Sequence, residues 1–303
     1  MKKKPYIRIA KLNTKRIILV FLILFVVIFT LKIFINNYKI NEMKRADVKF
    51  SENLMNIQRK EKEEAEKQIK EENEKREKKY EPLNEEELDK VSKIYRHSDV
   101  KRVFLTFDDG PTKQVTPYIL NLLKNEGIKA NFFVIGTKVE ENSELVKREY
   151  EEGHFIGNHG YSHKYSTIYS SVESVLDEYN KNNDLIRKAI GNEKYNSFIF
   201  RFPGGLVGGP YNDLKHEALK KLNENGIGNV DWNALTNDAD GARTKEAIMK
   251  NFYETVKDKS SVVLLMHDAA DKILTYETLP DIIKYFKNNG YEFQTMFDLV
   301  GRN

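Results

Sequence analysis

Two adjacent carboxylates, Asp108 and Asp109, stand in the run Thr106-Phe107-Asp108-Asp109-Gly110-Pro111, directly after an apolar segment. An Asp-Gly-Pro run by itself is most often a turn. Adjacent side chains diverge, however, so one carboxylate can bind a cation while the other faces a reacting atom. Further on, Gly157-Asn158-His159-Gly160-Tyr161-Ser162-His163 carries two of the chain's six histidines, four positions apart. A bare pair at that spacing is more often two surface histidines than a ligand set. Joined to Asp109, His159 and His163 give two imidazoles and a carboxylate, three ligands that leave positions on a metal ion open for water and substrate.

Three further clusters follow: Arg201-Phe202-Pro203-Gly204-Gly205, then Asp231-Trp232 with Asp238 after it, then Leu265-Met266-His267-Asp268. Each has a bland reading alone: a Pro-Gly turn with an exposed arginine, a core tryptophan, a satisfied histidine closing a buried strand. Gly204, lacking a side chain, also lets a substrate approach the backbone amide. Five polar clusters, each at the end of an apolar segment, make coincidence a poor account. His154 stands at the opposite end of its segment and reads as structural, while His97 and His216 lie in polar contexts and read as solvent-exposed.

The elements that position these clusters begin at Lys101. Strands are predicted at 103–107, 130–135, 155–157, 197–202, 228–232, 261–266 and 291–295, with helices at 116–125, 141–152, 172–189, 212–224, 244–257 and 276–289. Several helices end in glycine (Gly127, Gly153, Gly191, Gly226, Gly290), as helix C-termini prefer. The repeated β-then-α order argues an α/β sheet or barrel. Chemistry in such folds sits at the carboxyl ends of the strands, where the five clusters fall.

These residues resemble the polysaccharide deacetylase family (carbohydrate esterase family 4, the NodB homology domain). The resemblance is carried by TFDDGP at 106–111, HGYSH at 159–163, RFPGG at 201–205, the Asp231 to Asp238 region and LMH at 265–267, in the family's order and over essentially all of 101–303. It implies a distorted (β/α) barrel and metal-assisted removal of acetyl groups from cell-wall glycan, most simply the N-acetylglucosamine of peptidoglycan. Asp109, His159 and His163 would hold a divalent ion, zinc first, with cobalt, manganese and nickel as alternatives. Asp108 would be the base, His267 the acid, and Arg201 and Asp238 their respective partners. Gly204 would offer its amide to the oxyanion, and Phe202, Pro203 and Trp232 would lie against the substrate. The chain departs from the family pattern at Gly160, where a hydroxyl residue is usual, at Gly204, where many members carry a bulkier residue, and at Ala239, where an aromatic is common.

Composition bounds the rest. The 303 residues contain no cysteine, which excludes a disulfide scaffold, a thiolate metal site and a thiol nucleophile. Residues 1–49 hold 12 Lys/Arg against two acids, a balance of +10; the remaining 38 basic and 44 acidic residues give −6. No domain-wide basic face follows, so nucleic acid is not an expected partner. Residues 17–35 are almost wholly apolar and would span about 28 Å as a helix, close to the hydrocarbon core of a bilayer. Basic residues before the run keep the N-terminus cytoplasmic and send the rest outward. No small-residue cleavage pattern follows, so an uncleaved anchor is favoured over a cleaved signal peptide.

The expected organisation is a cytoplasmic basic tail at 1–16, a transmembrane anchor at 17–35, a charged stalk or linker at 36–100 and an extracellular catalytic domain at 101–303. Competing readings are a deacetylase of N-acetylmuramic acid, poly-N-acetylglucosamine or chitooligosaccharide and, from another class, a glycan-binding scaffold with a retired site. The scaffold reading predicts a missing ligand or proton-transfer residue, and none is missing.

Overall fold

The computed structural model describes residues 14–302, so residues 1–13 of the expected basic tail lie outside the described residues. The chain divides into two units, Met1–Glu72 and Asn73–Asn303. The helix Thr14–Lys78 accounts for the described part of the first. Its Leu19–Gln68 portion contains a stretch long and apolar enough to cross a membrane, a description that a signal sequence also meets.

The second unit is built on eight strands: β1 (Arg102–Asp108), β2 (Asn131–Val134), β3 (Phe155–Asn158), β4 (Ile199–Phe200), β5 (Gly228–Asn229), β6 (Ala234–Leu235), β7 (Ser261–His267) and β8 (Glu292–Phe293). Every pairing is parallel, in the order β5-β4-β3-β2-β1-β7-β6, with β8 beside the start of β1. The path ends at β5 on one side and β6 on the other, so the sheet curls into an incomplete barrel. All-parallel strands need both faces covered, and β1 and β7 accordingly are mostly apolar, broken in β1 by Thr106, and buried over nearly their whole length. Aromatic rings fill the interior, with Phe107 stacked on Phe132 at 5.2 Å and Phe200 edge-on to Phe202 at 4.8 Å.

Register is what assembles the site. Asp108 pairs with His267 across β1 and β7, Asp108 with Phe133 across β1 and β2, and Asn158 with Phe200 across β3 and β4. The carboxyl ends of the central strands are therefore level, and the loops that leave them share one rim.

Three expectations are corrected. β4 and β5 are two residues each rather than the longer runs their apolar content suggests. Before β4, the side chains of Asn196 and Ser197 accept the amides of Phe198 and Ile199, and Phe198 sits at φ +52°, so local side-chain bonds replace the start of the ladder. Beyond β5, the carbonyls of Val230 and Asp231 accept from Arg201 instead of a neighbouring strand. β6 was not expected. Finally, the end of the expected linker belongs to the folded unit. Leu83, Val91 and Ile94 are buried in its core, and the helix Glu85–Ser92 opens with a capping box between Asn84 and Glu87. Glu87 also pairs with Arg302 near the C-terminus, and the Leu83 amide donates to Gly226. The apolar spacing of Leu83, Leu88, Val91 and Ile94 was the signal, masked by the charged run before it.

Candidate active site

Asp109 and His163 leave the ends of β1 and the β3 loop at φ +74° and +55°, conformations that cost non-glycine residues roughly 1–3 kcal/mol each and persist only when the surroundings impose them. The outcome is convergence. One ligand atom each from Asp109, His159 and His163 lies within 4.8 Å of the others. Asp109 Oδ1 is 3.6 Å from His159 Nε2 and 3.3 Å from His163 Nε2. That oxygen is buried and has no hydrogen-bond partner among the described residues. His159 Nδ1 donates to the Arg201 carbonyl at 2.8 Å, which fixes the tautomer and leaves the Nε2 lone pair facing Asp109. Burial, with His163 nearby, pushes the His159 imidazole down to about 3, so it is neutral at physiological pH. Two imidazole nitrogens and an orphaned carboxylate oxygen form a donor set that fits a divalent cation.

Asp108 is the other half of the pair and is 2% exposed. Arg201, fully buried, donates through Nη1 to Asp108 Oδ1 at 2.7 Å and to Thr106 Oγ1 at 2.8 Å. Its Nε and Nη2 are spent on the Val230 and Asp231 carbonyls, and its plane lies 4.0 Å over the Phe133 ring. The fork thus has one orientation and presents a single charge to Asp108. Burial raises the Asp108 carboxyl above its ordinary range, while Arg201 and His267 pull it the other way. The net rise makes it a better proton acceptor than a solvated aspartate.

Across the rim, His267 Nδ1 donates to Asp238 Oδ1 at 2.9 Å, and Asp238 Oδ2 accepts from the His267 amide at 2.8 Å and Thr275 Oγ1 at 2.7 Å. Burial works against an imidazolium here. The hydrogen bond and charge of Asp238, aided by Asp108 and Asp109, outweigh it and lift His267 to about 9. His267 is therefore protonated at neutral pH with Nε2 left to give up a proton, while Asp238, despite burial, is held below its ordinary range by His267 and Thr275.

The RFPGG loop divides. Gly204 is exposed, its amide without a hydrogen bond among the described residues, and Trp232 is half-buried nearby, 3.0 Å from where a Cβ on Gly205 would lie. Phe202 and Pro203 are not brought to the site as side chains. Phe202 is fully buried between Phe200 and Tyr169, and Pro203 is buried with its carbonyl accepting from Tyr169. The Gly205–Leu206 peptide is gripped at both ends: buried Lys215 donates to its carbonyl at 2.6 Å, and Asp231 accepts its amide at 2.8 Å. His154 is structural, its Nδ1 accepting the Ala130 amide, and His97 and His216 are exposed.

Sequence reasoning missed three supports. Glu178 accepts the amides of Tyr161 and Ser162 at 2.7 and 2.6 Å, bracing the histidine loop from the helix Val172–Ile190. Asp268 lies so close beneath Gly110 that a Cβ there would be 2.0 Å from its carboxylate, and Thr116 donates to it. Its amide donates to the Asp108 carbonyl, tying the two catalytic strands together. Lys215 is the third. Supports of this kind commonly change metal affinity by about 10- to 100-fold. Glu178→Ala is accordingly expected to weaken divalent-metal binding by about that factor, measured by competition with a chelating dye, while the fold is retained by circular dichroism.

The model of the polysaccharide deacetylase family matches residues 96–227. A peptidoglycan-N-acetylglucosamine deacetylase of Bacillus cereus is 35% identical over 199 residues, covering 64% of this chain and 68% of that protein. One of Listeria monocytogenes is 32% identical over 212 residues, 70% of this chain but 41% of the relative's length. The solved structure of a Streptococcus mutans CE4 esterase superposes with a TM-score of 0.62 at 28% identity, covering 71% of this chain and 96% of that one.

Proposed function

This chain belongs to the polysaccharide deacetylase family, carbohydrate esterase family 4, and we propose that it hydrolyses the N-acetyl groups of peptidoglycan N-acetylglucosamine with a divalent metal ion, zinc first. Relatives named as peptidoglycan deacetylases support a cell-wall glycan deacetylase. The sugar rests on the names of its relatives. The metal rests on one observation above all: Asp109, His159 and His163 converge between a buried carboxylate–arginine pair and a buried histidine–aspartate pair.

Asp109, His159 and His163 would hold the ion, which when bound supplies a Lewis acid for the acetyl carbonyl and lowers the pKa of water. Asp108 accepts the proton of the attacking water through its carboxylate, held by Arg201 at the other oxygen. As the new C–O bond forms, the acyl oxygen gains negative charge and the Gly204 amide donates to it. The C–N bond then breaks as His267 gives its Nε2 proton to the departing sugar amine, which leaves poorly without one. Asp238 keeps the ring oriented and protonated until that moment. Acid and base are thus separated by environment: arginine holds one, aspartate the other. The half-buried face of Trp232 forms a wall for the acetyl methyl.

The apolar part of the N-terminal helix, read as an anchor, would hold the chain at a membrane, in keeping with a wall polymer as substrate. The test uses the full chain in detergent with zinc and purified muropeptides. Mass spectrometry is expected to show acetyl loss from N-acetylglucosamine, and the His159→Ala/His163→Ala double variant is expected to lose both bound zinc and turnover. Acetyl loss from muramic acid alone would overturn the sugar assignment, and stoichiometric zinc in the double variant would overturn the metal site.

A further inference from the structure

Gly204 and Tyr165 occupy one space. Gly204 sits at φ +75°, and a Cβ built on it would lie 2.4 Å from the Tyr165 hydroxyl oxygen and 3.0 Å from the carbon that bears it. The tyrosine thus fills the volume that a side chain at 204 would claim. Tyr165 opens the short helix Tyr165–Ile168, two residues after His163. Its ring is placed by neighbours, 5.9 Å from the His163 ring and 5.7 Å from that of Tyr169, which is itself pinned by its hydrogen bond to the Pro203 carbonyl. Tyr165 is nevertheless 44% exposed. Among the described residues its hydroxyl has no hydrogen-bond partner, and neither does the Gly204 amide.

Two unbonded donors at the mouth of a site are close enough to share an acceptor. By standard backbone dimensions a Cβ is about 2.5 Å from its own amide nitrogen. The hydroxyl oxygen, 2.4 Å from that Cβ position, therefore lies within about 4.9 Å of the Gly204 nitrogen. Donors up to about 5.8 Å apart can both reach one oxygen at about 2.9 Å. We propose that the Tyr165 hydroxyl is a catalytic residue of this chain, a second hydrogen-bond donor to the acyl oxygen of the substrate beside the Gly204 amide. The proton stays on the phenol; the bond strengthens as the acyl oxygen takes up charge, so its effect falls on the chemical step. Glycine at 204 is what admits the hydroxyl, which couples the two positions. This inference rests on the deacetylase reading above and adds a residue to it.

The test compares Tyr165→Phe, Gly204→Ala and the double variant in the zinc-loaded full chain acting on chitopentaose. Removing one oxyanion donor costs about 10²–10³ in kcat. With two further groups on the same oxygen, Tyr165→Phe is expected to lower kcat by about 10- to 100-fold, with KM within about twofold and zinc stoichiometry unchanged. A methylphosphonamidate analogue of the chitooligosaccharide, tetrahedral and anionic, is expected to bind more weakly by a similar factor, while the deacetylated product binds as before. Because a methyl at 204 displaces the hydroxyl, Tyr165→Phe is expected to add little to Gly204→Ala. Turnover of Tyr165→Phe within twofold of an active parent would overturn the proposal alone, as would full additivity of the two changes. An inactive parent that also ignores the analogue would overturn the deacetylase reading and this inference with it.

Discussion

Asp108→Asn is expected to lower kcat by about 10³- to 10⁴-fold while leaving zinc bound, because it removes a proton acceptor without removing a shape. Asparagine can still present an oxygen to Arg201 Nη1, where the present bond is 2.7 Å. What disappears is the negative charge that opposes a fully buried guanidinium and the lone pair that takes the water's proton. A buried arginine without a counter-charge is costly, so a stability loss of about 1–3 kcal/mol accompanies the change. The two losses separate experimentally. Denaturant titration reports the second, and zinc content by mass spectrometry with kcat on a soluble chitooligosaccharide reports the first. Near-normal turnover in folded, zinc-loaded Asp108→Asn protein would remove Asp108 from the proton-transfer role. Loss of zinc in step with turnover would instead make it a ligand, a role for which its Oδ2, 3.7 Å from His159 Nε2, stands close enough to matter.

Arg201 shows how much of this was legible in advance. Its own residues read as an exposed arginine at a turn; the family resemblance names it as the partner of Asp108, and the structure pairs the two. Its remaining donors could not be read, because they go to main-chain carbonyls of Val230 and Asp231, and a main-chain acceptor leaves no trace in residue identity. The same bonds explain why β5 stops short of Trp232. Long, buried β1 and β7 were legible because they are dominated by apolar residues and end in the chemistry; two-residue β6 was not, because Ala234 and Leu235 carry no periodic signal. Glu178 sat in plain view on a predicted helix. Its role depends on a loop from a different element folding onto it, a tertiary fact that helical spacing does not encode. Gly160 and Gly204, both departures from the family pattern, lie beside side chains that the sequence did not point to: Glu178 holds the loop after Gly160, and Tyr165 fills the space beside Gly204.

Asp238→Asn is expected to move the acid rather than the base. His267 stands at about 9 because the charge and hydrogen bond of Asp238 overcome burial. With a neutral amide in that place, burial dominates and the imidazole falls below its ordinary value of about 6.5. In the metal-free protein, titration of the His267 ring by nuclear magnetic resonance should find a midpoint near 9, and in Asp238→Asn a midpoint below about 6.5. A divalent ion at Asp109, His159 and His163 repels an imidazolium, so the alkaline limb of kcat/KM in the loaded enzyme lies at or below 9 and moves further down in the variant. At pH 7 the variant then holds little of the protonated acid, and kcat falls by about 10²-fold or more. Stability follows the same sign. A folded value raised above the unfolded one contributes stability that is complete below about pH 6.5 and is lost as pH climbs through about 9, on the order of 3 kcal/mol for a group this buried. Wild-type protein should therefore be less stable to denaturant at pH 10 than at pH 6, and Asp238→Asn should show a smaller difference. A His267 midpoint unmoved by Asp238→Asn would mean that another group holds the proton, and the assignment of Asp238 as its partner would fail.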